Sequence, residues 1–188
     1  MEIRLLNEQE TQTVRAAFVQ KFVLDWPKYQ IDHKDFIQRW GIEISHFDDM
    51  LMWDRFPKAY PCVTFREALA MLRQLPGQVL FLSEGPDYPY ARKLQWDGRE
   101  IPHFSAIVDA KELADRIEYE WIESARLFQD MCYLADQALP EDLYVCTQEM
   151  DRLLVFTHET TDCDAELAEN YLTQAESRLC IAYGFDDK

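Results

Sequence analysis

His158 and Glu159 stand where an apolar run of the sequence, residues 153–156, comes to an end. An imidazole and a carboxylate at the end of a strand can act as a general acid, a general base or a metal ligand. The alternative is structural, with these polar side chains satisfying backbone groups where the strand stops. No second histidine lies nearby and the other three histidines are isolated, so the structural interpretation is favoured and no metal site is predicted.

Glu84 is a second candidate acid or base, because it follows the apolar run 79–82. A carboxylate at this position more often forms a turn, here with the following Gly85-Pro86, or pairs with a cation. Together with His158 and Glu159 it defines a catalytic alternative. In that alternative the protein is a small hydrolase or ligand-binding enzyme, with its site between the 84–104 loop and the end of the strand that carries His158.

The sequence lacks the usual signatures of phosphate, dinucleotide, serine-hydrolase and zinc-protease sites. It has only five glycines, which leaves little scope for the close backbone approach that a phosphate cradle needs. Its five cysteines form no Cys-x-x-Cys pair, and we expect them to be reduced and structural. They are Cys62, Cys132, Cys146, Cys163 and Cys180. No cofactor is predicted.

The strongest global feature is a net charge of −16 that is unevenly distributed. Residues 1–94 hold 12 Lys+Arg and 13 Asp+Glu, whereas residues 95–188 hold 7 and 22, which leaves −1 and −15. Phosphate backbones and anionic membranes would be repelled by such a surface, so neither nucleic acid nor membrane is an expected partner. A basic protein would be attracted. The alternative is that the acidity only keeps the protein soluble.

The leading functional hypothesis is therefore a protein-interaction module without catalytic activity. It would resemble an immunity or antitoxin protein that inhibits a basic partner through the acidic half of the chain. The candidate contact residues are Glu118, Glu123, Asp142, Glu149 and Asp151.

Length and the first residues bound the organisation of the chain. With 188 residues, one domain is expected over 1–188, with a helical portion at 1–60 packing on a sheet formed within 61–188. The first residues lack the pattern of a signal peptide, and no apolar run approaches the roughly 18 residues needed to span a bilayer. A cytoplasmic location is the expectation.

Helices are predicted from capping boxes and from apolar spacing. Asn7 with Glu10 starts a helix to about residue 25, and Thr64 with Glu67 starts one that closes at 76–77. A run without Gly or Pro follows residue 109 and predicts one long helix, or two joined by a kink, to residue 139. Further helices are expected at 32–40, 45–56 and 164–176.

Strands are expected in pairs, which favours an antiparallel sheet over a doubly wound parallel one. Residues 78–83 and 104–108 give the first two strands, and a tight-turn signal at 96–99 predicts a small hairpin within the loop between them. The central feature is a hairpin over 140–159, with a four-residue connection at 148–151. The fold class is α+β, with an antiparallel sheet of about four or more strands.

The hairpin residues Asp142-Leu143-Tyr144-Val145, followed by Val155-Phe156-Thr157-His158-Glu159, carry a resemblance. They are similar to the paired strands of a family of small uncharacterised bacterial proteins, in which an acidic-Leu-Tyr-Val strand precedes a strand ending in Thr-His-Glu. Trp53-Asp54-Arg55-Phe56, Glu67-Ala68-Leu69 and Val79-Leu80-Phe81 are similar to further elements of that family.

This chain departs from the family pattern on both sides of the second hairpin strand. Arg152-Leu153 replaces an aromatic residue at its start, and Thr160-Thr161 replaces a Gly-Pro-aromatic ending. The resemblance implies a fold and no particular chemistry. Similar architectures occur among small acidic immunity proteins, an analogy at the level of the fold.

Overall fold

The computed structural model of the chain describes residues 1–25, 27, 51–84, 94–96, 99–101, 104–123, 139–140, 142–160 and 178–185. The strands are β1 (Ile3–Leu5), β2 (Cys62–Val63), β3 (Gln78–Leu82), β4 (Leu94–Trp96), β5 (Arg99–Ile101), β6 (Ser105–Asp109), β7 (Leu143–Thr147), β8 (Leu153–Thr160) and β9 (Arg178–Tyr183). The helices are α1 (Glu8–Phe22), α2 (Phe65–Gln74) and α3 (Ala110–Glu118), with a 3-10 turn at Trp53–Arg55 and a π-helical turn at Tyr119–Glu123.

Seven of the described strands form one sheet in the order β1-β6-β3-β7-β8-β9-β2, and each neighbouring pair is antiparallel. The small predicted hairpin is β4–β5, which forms a separate two-stranded sheet. The α+β class and the antiparallel sheet predicted from the sequence are therefore confirmed. The β7–β8 hairpin lies in the interior of the large sheet, with strands on both of its sides.

Residues 148–152 lie between β7 and β8, and a backbone hydrogen bond between Thr147 and Arg152 closes the predicted four-residue connection at 148–151. The Thr147 N–H donates to the Arg152 carbonyl at 3.2 Å, and the Met150 N–H donates to the Thr147 carbonyl at 2.9 Å. Met150 has a φ of 56°, and its side chain is buried. An i to i+3 hydrogen bond followed by a left-handed residue is typical of a four-residue hairpin loop built on a type I turn.

Both faces of the large sheet are covered, and the alternation along β8 shows how. Leu154 and Phe156 belong to a core shared with α2 and α3, whereas Leu153 and Val155 belong to a second core shared with α1 and residues 51–56. Since successive side chains of a strand point to opposite faces, a strand covered on both faces must be apolar at every position. The unbroken apolar run in β8 is the sequence consequence of this double burial.

Side-chain caps set the start of each described helix. Asn7 with Glu10 and Thr64 with Glu67 form complete capping boxes at α1 and α2. At α3 the Asp109 carboxylate accepts hydrogen bonds from the second and third backbone N–H groups beyond it. These caps satisfy donors that have no partner inside the helix, so the predicted starts of all three helices are confirmed.

One helix expectation is wrong over its described part. Residues 51–56 of the helix predicted at 45–56 contain only the 3-10 turn. The Asp54 carboxylate accepts the Leu51 N–H at 2.9 Å, and Glu84 accepts the Met52 N–H at 3.2 Å. Side-chain carboxylates thus accept the backbone N–H groups of Leu51 and Met52, in competition with the hydrogen bonds of an α-helix. The predicted helices at 32–40 and 164–176, and residues 124–138 of the long helix, lie outside the described residues.

Three strands of the sheet were not predicted. β1 lies in the portion expected to be helical, β2 has two residues, and β9 follows the predicted acidic helix. β1 and β2 form the two edges of the sheet, where short strands with only one neighbour carry little periodic signal. Their place in the sheet depends on pairing with β6 and β9, which is a tertiary property.

Gly184 provides a stability test of the contact between the hairpin connection and the end of β9. It has a φ of 78°, and a Cβ there would lie 2.1 Å from the Asp151 carbonyl oxygen. We expect Gly184→Ala to lower the free energy of unfolding by roughly 2–4 kcal/mol, from the clash together with left-handed strain. Urea unfolding followed by circular dichroism measures this.

Gly77→Ala is the matched control, because Gly77 also has a positive φ, 65°, but has no atom within 4 Å of its Cβ position. The free energy of unfolding of this variant should fall by only about 1 kcal/mol, the cost of placing alanine in the left-handed region. Equal losses in the two variants would show that the contact at Asp151 is not close.

Candidate functional site

Glu84 lies immediately after β3, and its side chain is 2% exposed. The alternation of β3 places it on the face of Leu80 and Leu82, which pack toward α1. Its carboxylate accepts a hydrogen bond from the Tyr144 hydroxyl and one from the Met52 backbone N–H at 3.2 Å. A buried carboxylate requires such donors, since an unpaired charge is costly away from water.

Arg15 brings a cation to the same place from α1. Its Nη1 donates to the Ser83 carbonyl at 2.9 Å, next to Glu84 in the chain. Burial lowers the pKa of the Arg15 guanidinium, and the charge of Glu84 acts in the opposite direction. The guanidinium therefore faces an anionic group that offsets its loss of water. Glu84, Tyr144, Arg15 and the Met52 N–H together form what we call the Glu84 cluster.

Tyr144 donates to Glu84 from the centre of the sheet, on β7. Burial raises the pKa of the Tyr144 phenol well above its usual value near 10, and the charges of Glu84 and Asp142 raise it further, while a hydrogen bond with the Trp53 backbone acts the other way. The phenol therefore keeps its proton at neutral pH. Tyr144 serves here as a hydrogen-bond donor and not as a nucleophile or base.

Aromatic packing holds the cluster together. Tyr144 makes edge contacts with Phe18 at 5.7 Å and with Phe56 at 6.2 Å between ring centroids. Edge-to-face pairs at these distances are favourable. Phe18 comes from α1 and Phe56 from the segment that Glu84 anchors, so the cluster joins α1, residues 51–56 and the central hairpin. Its chemical role in this arrangement is to fix that segment on the sheet.

The catalytic alternative rests on Glu84, His158 and Glu159, and the backbone places all three at the same end of the sheet. β3 and β8 are both antiparallel to β7, so they run in the same direction and their C-terminal ends lie at the same end of the sheet. Glu84 follows β3, and the other two residues lie in the last part of β8. With one strand between them, their backbones are about 10 Å apart. The side chains of His158 and Glu159 lie outside the described part of the chain.

Thr157 precedes this pair and is fully buried. Its hydroxyl donates to the Leu179 carbonyl at 2.9 Å, and its own carbonyl accepts from Arg178 Nη1 at 3.0 Å. The pairing of β8 with β9 also shifts register between Phe156 and Thr160, as in a β-bulge. Thr157 therefore has the structural role that sequence reasoning gave to the strand end, while a bulge is a feature often found beside active sites.

Glu120 is a buried carboxylate that the sequence did not single out. It is 1% exposed and accepts the Leu139 N–H at 2.9 Å together with a hydrogen bond from Arg116 Nε. It lies in the π-helical turn that follows α3, where the next residue, Trp121, stacks under the Arg178 guanidinium at 3.9 Å. The only signal in the sequence is the four-residue spacing from Arg116, which is common on helices.

The five predicted acidic contacts have different environments. Glu149 and Asp151 are exposed on the hairpin connection, and the hydrogen bond from Thr147 lowers the pKa of the Asp151 carboxyl. Asp142 is 7% exposed. Glu118 pairs with Arg66 at 2.7 Å and also with a second arginine of α2. Glu123 belongs to the π-helical turn, and its side chain is outside the described part.

The described cysteines are free thiols with different exposure. Cys146 and Cys180 are buried, and burial raises the pKa of each thiol to about 12, whereas Cys62 is exposed. Such buried thiols are poor nucleophiles at neutral pH. Cys132 and Cys163 lie outside the described residues. Within those residues, no group of three metal-ligating side chains is found, and no helix has the length and apolarity that crossing a membrane requires.

Comparison with known proteins adds no relative to this description: no protein family, curated protein or solved structure matches the chain. The resemblance drawn from the hairpin motif therefore stays a prediction. The structure shows where the described residues of the resembling motifs lie. Trp53 and Phe56 are core residues on one face of the sheet, Leu69 and Phe81 are core residues on the other, and Tyr144 is at the centre of the Glu84 cluster.

Tyr144→Phe tests the Glu84 cluster through the pH dependence of stability. At pH 7 we expect a loss of about 1–3 kcal/mol, because a buried carboxylate loses a donor. The folded-state pKa of Tyr144 is raised above 10, so its protonated form stabilises the fold fully below pH 10 and this contribution is lost as the pH rises further. Urea unfolding between about pH 9 and 11 should show a steeper loss in the wild type than in the variant.

Tyr119→Phe is the control, since it removes a hydroxyl from a side chain that is 51% exposed and belongs to no part of the Glu84 cluster. Its loss of stability at pH 7 should be much smaller than that of Tyr144→Phe. Parallel pH curves for the wild type and Tyr144→Phe would contradict the protonated, buried environment assigned to this phenol.

Proposed function

We propose that this protein is an interaction module that binds and inhibits a basic protein, in the manner of an immunity or antitoxin protein. The observation that carries the proposal is the charge asymmetry, since residues 95–188 hold 22 Asp+Glu against 7 Lys+Arg. An electrostatic field of this size accelerates encounter with a cationic surface and disfavours anionic partners.

The β7–β8 connection is the part of the described surface best suited to begin such a contact. Glu149 and Asp151 are both exposed there. The Thr147 hydroxyl accepts hydrogen bonds from the backbone N–H groups of Asp151 and Arg152, at 3.1 and 3.2 Å, and Met150 is buried beneath the turn. A turn that is already ordered loses little conformational entropy when it binds a partner.

Two of the other acidic candidates are less suited to this contact. Asp142 is buried, so its charge is not offered at the surface. Glu118 is neutralised by Arg66 and by Arg73, which also pairs with Asp115 at 3.0 Å. The proposal therefore rests on Glu149 and Asp151 among the described candidates.

The engagement of Glu84 also supports a binding role over a catalytic one. Its carboxylate accepts donors from Met52 and Tyr144 inside the core, where it anchors residues 51–56. A general base needs a lone pair directed at a substrate, and the described contacts of this carboxylate are instead those of a structural anchor.

The test is capture of a basic protein from the lysate of the source cells by the immobilised chain, at about 50 mM and about 500 mM salt, because screening weakens such contacts. Glu149→Lys/Asp151→Lys should reduce capture at low salt at least about tenfold. Glu2→Lys/Glu8→Lys, which makes the same charge change on exposed residues of the N-terminal region, should reduce it much less. Equal losses would remove the hairpin connection from the interface.

Asp151 also accepts the Thr147 hydroxyl, so Glu149→Lys alone is the variant that leaves the turn intact. Its unfolding midpoint should equal that of the wild type while capture still falls. Absence of any basic protein at low salt would count against the proposed function as a whole.

A second candidate function is the small hydrolase or ligand-binding enzyme. One observation favours it: Glu84 and the His158-Glu159 pair lie at the same end of the sheet, beside a bulge.

If this end of the sheet is catalytic, His158→Ala/Glu159→Ala should abolish an activity found in a screen of ester and amide substrates without changing the unfolding midpoint. Retained activity in this double variant would dismiss the candidate.

A further inference from the structure

A cavity of about 410 Å³ lies between the first half of α1 and the sheet. Its floor contains Leu80 of β3 and Ile107 of β6, which are direct partners in the antiparallel register. Gln9 and Thr13 of α1 line it on the helix side, and Gln148 of the hairpin connection also lines it. The volume is within the range of small-molecule sites, about 300–1,000 Å³.

The floor of the cavity is aliphatic. Leu80 and Ile107 are only 4% and 8% exposed, whereas Leu6 and Val14, which also line the cavity, are partly exposed. A ligand that covers Leu6 and Val14 would gain the free energy of removing apolar surface from water. The apolar part of the ligand is therefore expected to contact these two side chains.

The charges that line the cavity cancel each other. Arg4 pairs with Glu10 at 3.3 Å, and Glu10 also accepts the Asn7 N–H at 2.9 Å in the capping box of α1. The Asn7 side chain in turn accepts the Glu10 N–H at 2.9 Å. The capping box therefore occupies the N–H groups of Asn7 and Glu10 and keeps the Glu10 carboxylate at the start of the helix.

The remaining polar groups are neutral amides and a hydroxyl. The Thr13 hydroxyl donates to the Gln9 carbonyl at 2.9 Å, and Gln148 Nε2 reaches the Gln78 carbonyl at 3.5 Å. The side-chain amide oxygens and nitrogens of Gln9 and Gln148 can pair with an amide or hydroxyl group of a ligand. The wall thus offers both donors and acceptors without a net charge.

We infer that this cavity is a binding site for an uncharged small molecule with an apolar body and an amide or hydroxyl group. The apolar body contacts Leu6 and Val14, and the polar group contacts Gln9, Thr13 or Gln148. Charged analogues bind more weakly, because the two charged residues of the described lining, Arg4 and Glu10, are paired with each other and do not offset the loss of water of a ligand charge. This site is independent of the proposed interaction with a basic protein.

Three probes of equal chain length separate the ligand classes: hexanamide, hexanoate and hexylammonium. They are titrated into the full chain with methyl-labelled side chains at about 150 mM salt, which limits nonspecific attraction of the cation. Hexanamide should shift the methyl signals of Leu80, Val14 and Ile107 with a Kd on the order of 1 mM. Val145 and Leu154, on the opposite face of the sheet, should not shift.

The two charged probes should bind at least about tenfold more weakly than hexanamide. Equal binding of all three, or no shift at the cavity methyl groups up to about 10 mM hexanamide, would overturn the inference. Both results leave the capture experiment with the basic protein unaffected, so failure here is distinguishable from failure of the proposed function.

Thr13→Trp blocks the cavity from its exposed wall, and Gln12→Trp is the matched control on α1, exposed and outside the lining. Binding of hexanamide should be lost in the first variant and remain within about twofold of the wild type in the second. Gln9→Ala, which cannot fill the space, should weaken binding severalfold. Undiminished binding in both Thr13→Trp and Gln9→Ala would also overturn the inference.

Discussion

Burying a carboxylate requires donors, and in this protein Glu84 obtains them from two distant parts of the chain. The Met52 N–H and the Tyr144 hydroxyl both reach it, and Arg15 approaches from a third. Because each partner lies on a different element, satisfying this one charge sets the position of α1 and of residues 51–56 relative to the sheet. Much of the packing on that face follows from this arrangement.

The same constraint gives the carboxylates of this acidic chain separate roles. Glu84 and Glu120 are buried and accept backbone N–H groups, and they act as anchors. Glu118 is held by arginines of α2. Glu149 and Asp151 remain exposed on an ordered turn. The net charge does not distinguish these roles, because a buried structural carboxylate and an exposed carboxylate each contribute one negative charge.

The two proposed sites lie on different parts of the molecule and differ in their physical basis. The acidic connection would act by long-range attraction, which weakens with salt. The cavity under α1 would act through apolar contact with Leu6 and Val14, and its Arg4–Glu10 pair carries no net charge. Gln148 lines the cavity and is next to Glu149 in the chain, so the hairpin connection borders both sites.

Local signals in the sequence determined much of the fold. The capping residues Asn7 and Thr64 set the starts of α1 and α2, and the apolar run of β8 predicted its double burial, because caps and periodicity depend on neighbours in sequence. The sequence also marked Glu84 as a carboxylate at a strand end. In each of these cases the determining atoms lie within a few residues of one another.

Which groups come into contact depends on the packing of the elements in three dimensions. The burial of Asp142 and Glu120 depends on packing between elements that are distant in sequence, and the edge strands β1 and β2 exist because β6 and β9 offer them hydrogen bonds. The type of a residue and its neighbours in sequence do not indicate which distant residues it will contact. The environment of a charge, and hence its role, is therefore set by contacts that the linear pattern does not encode.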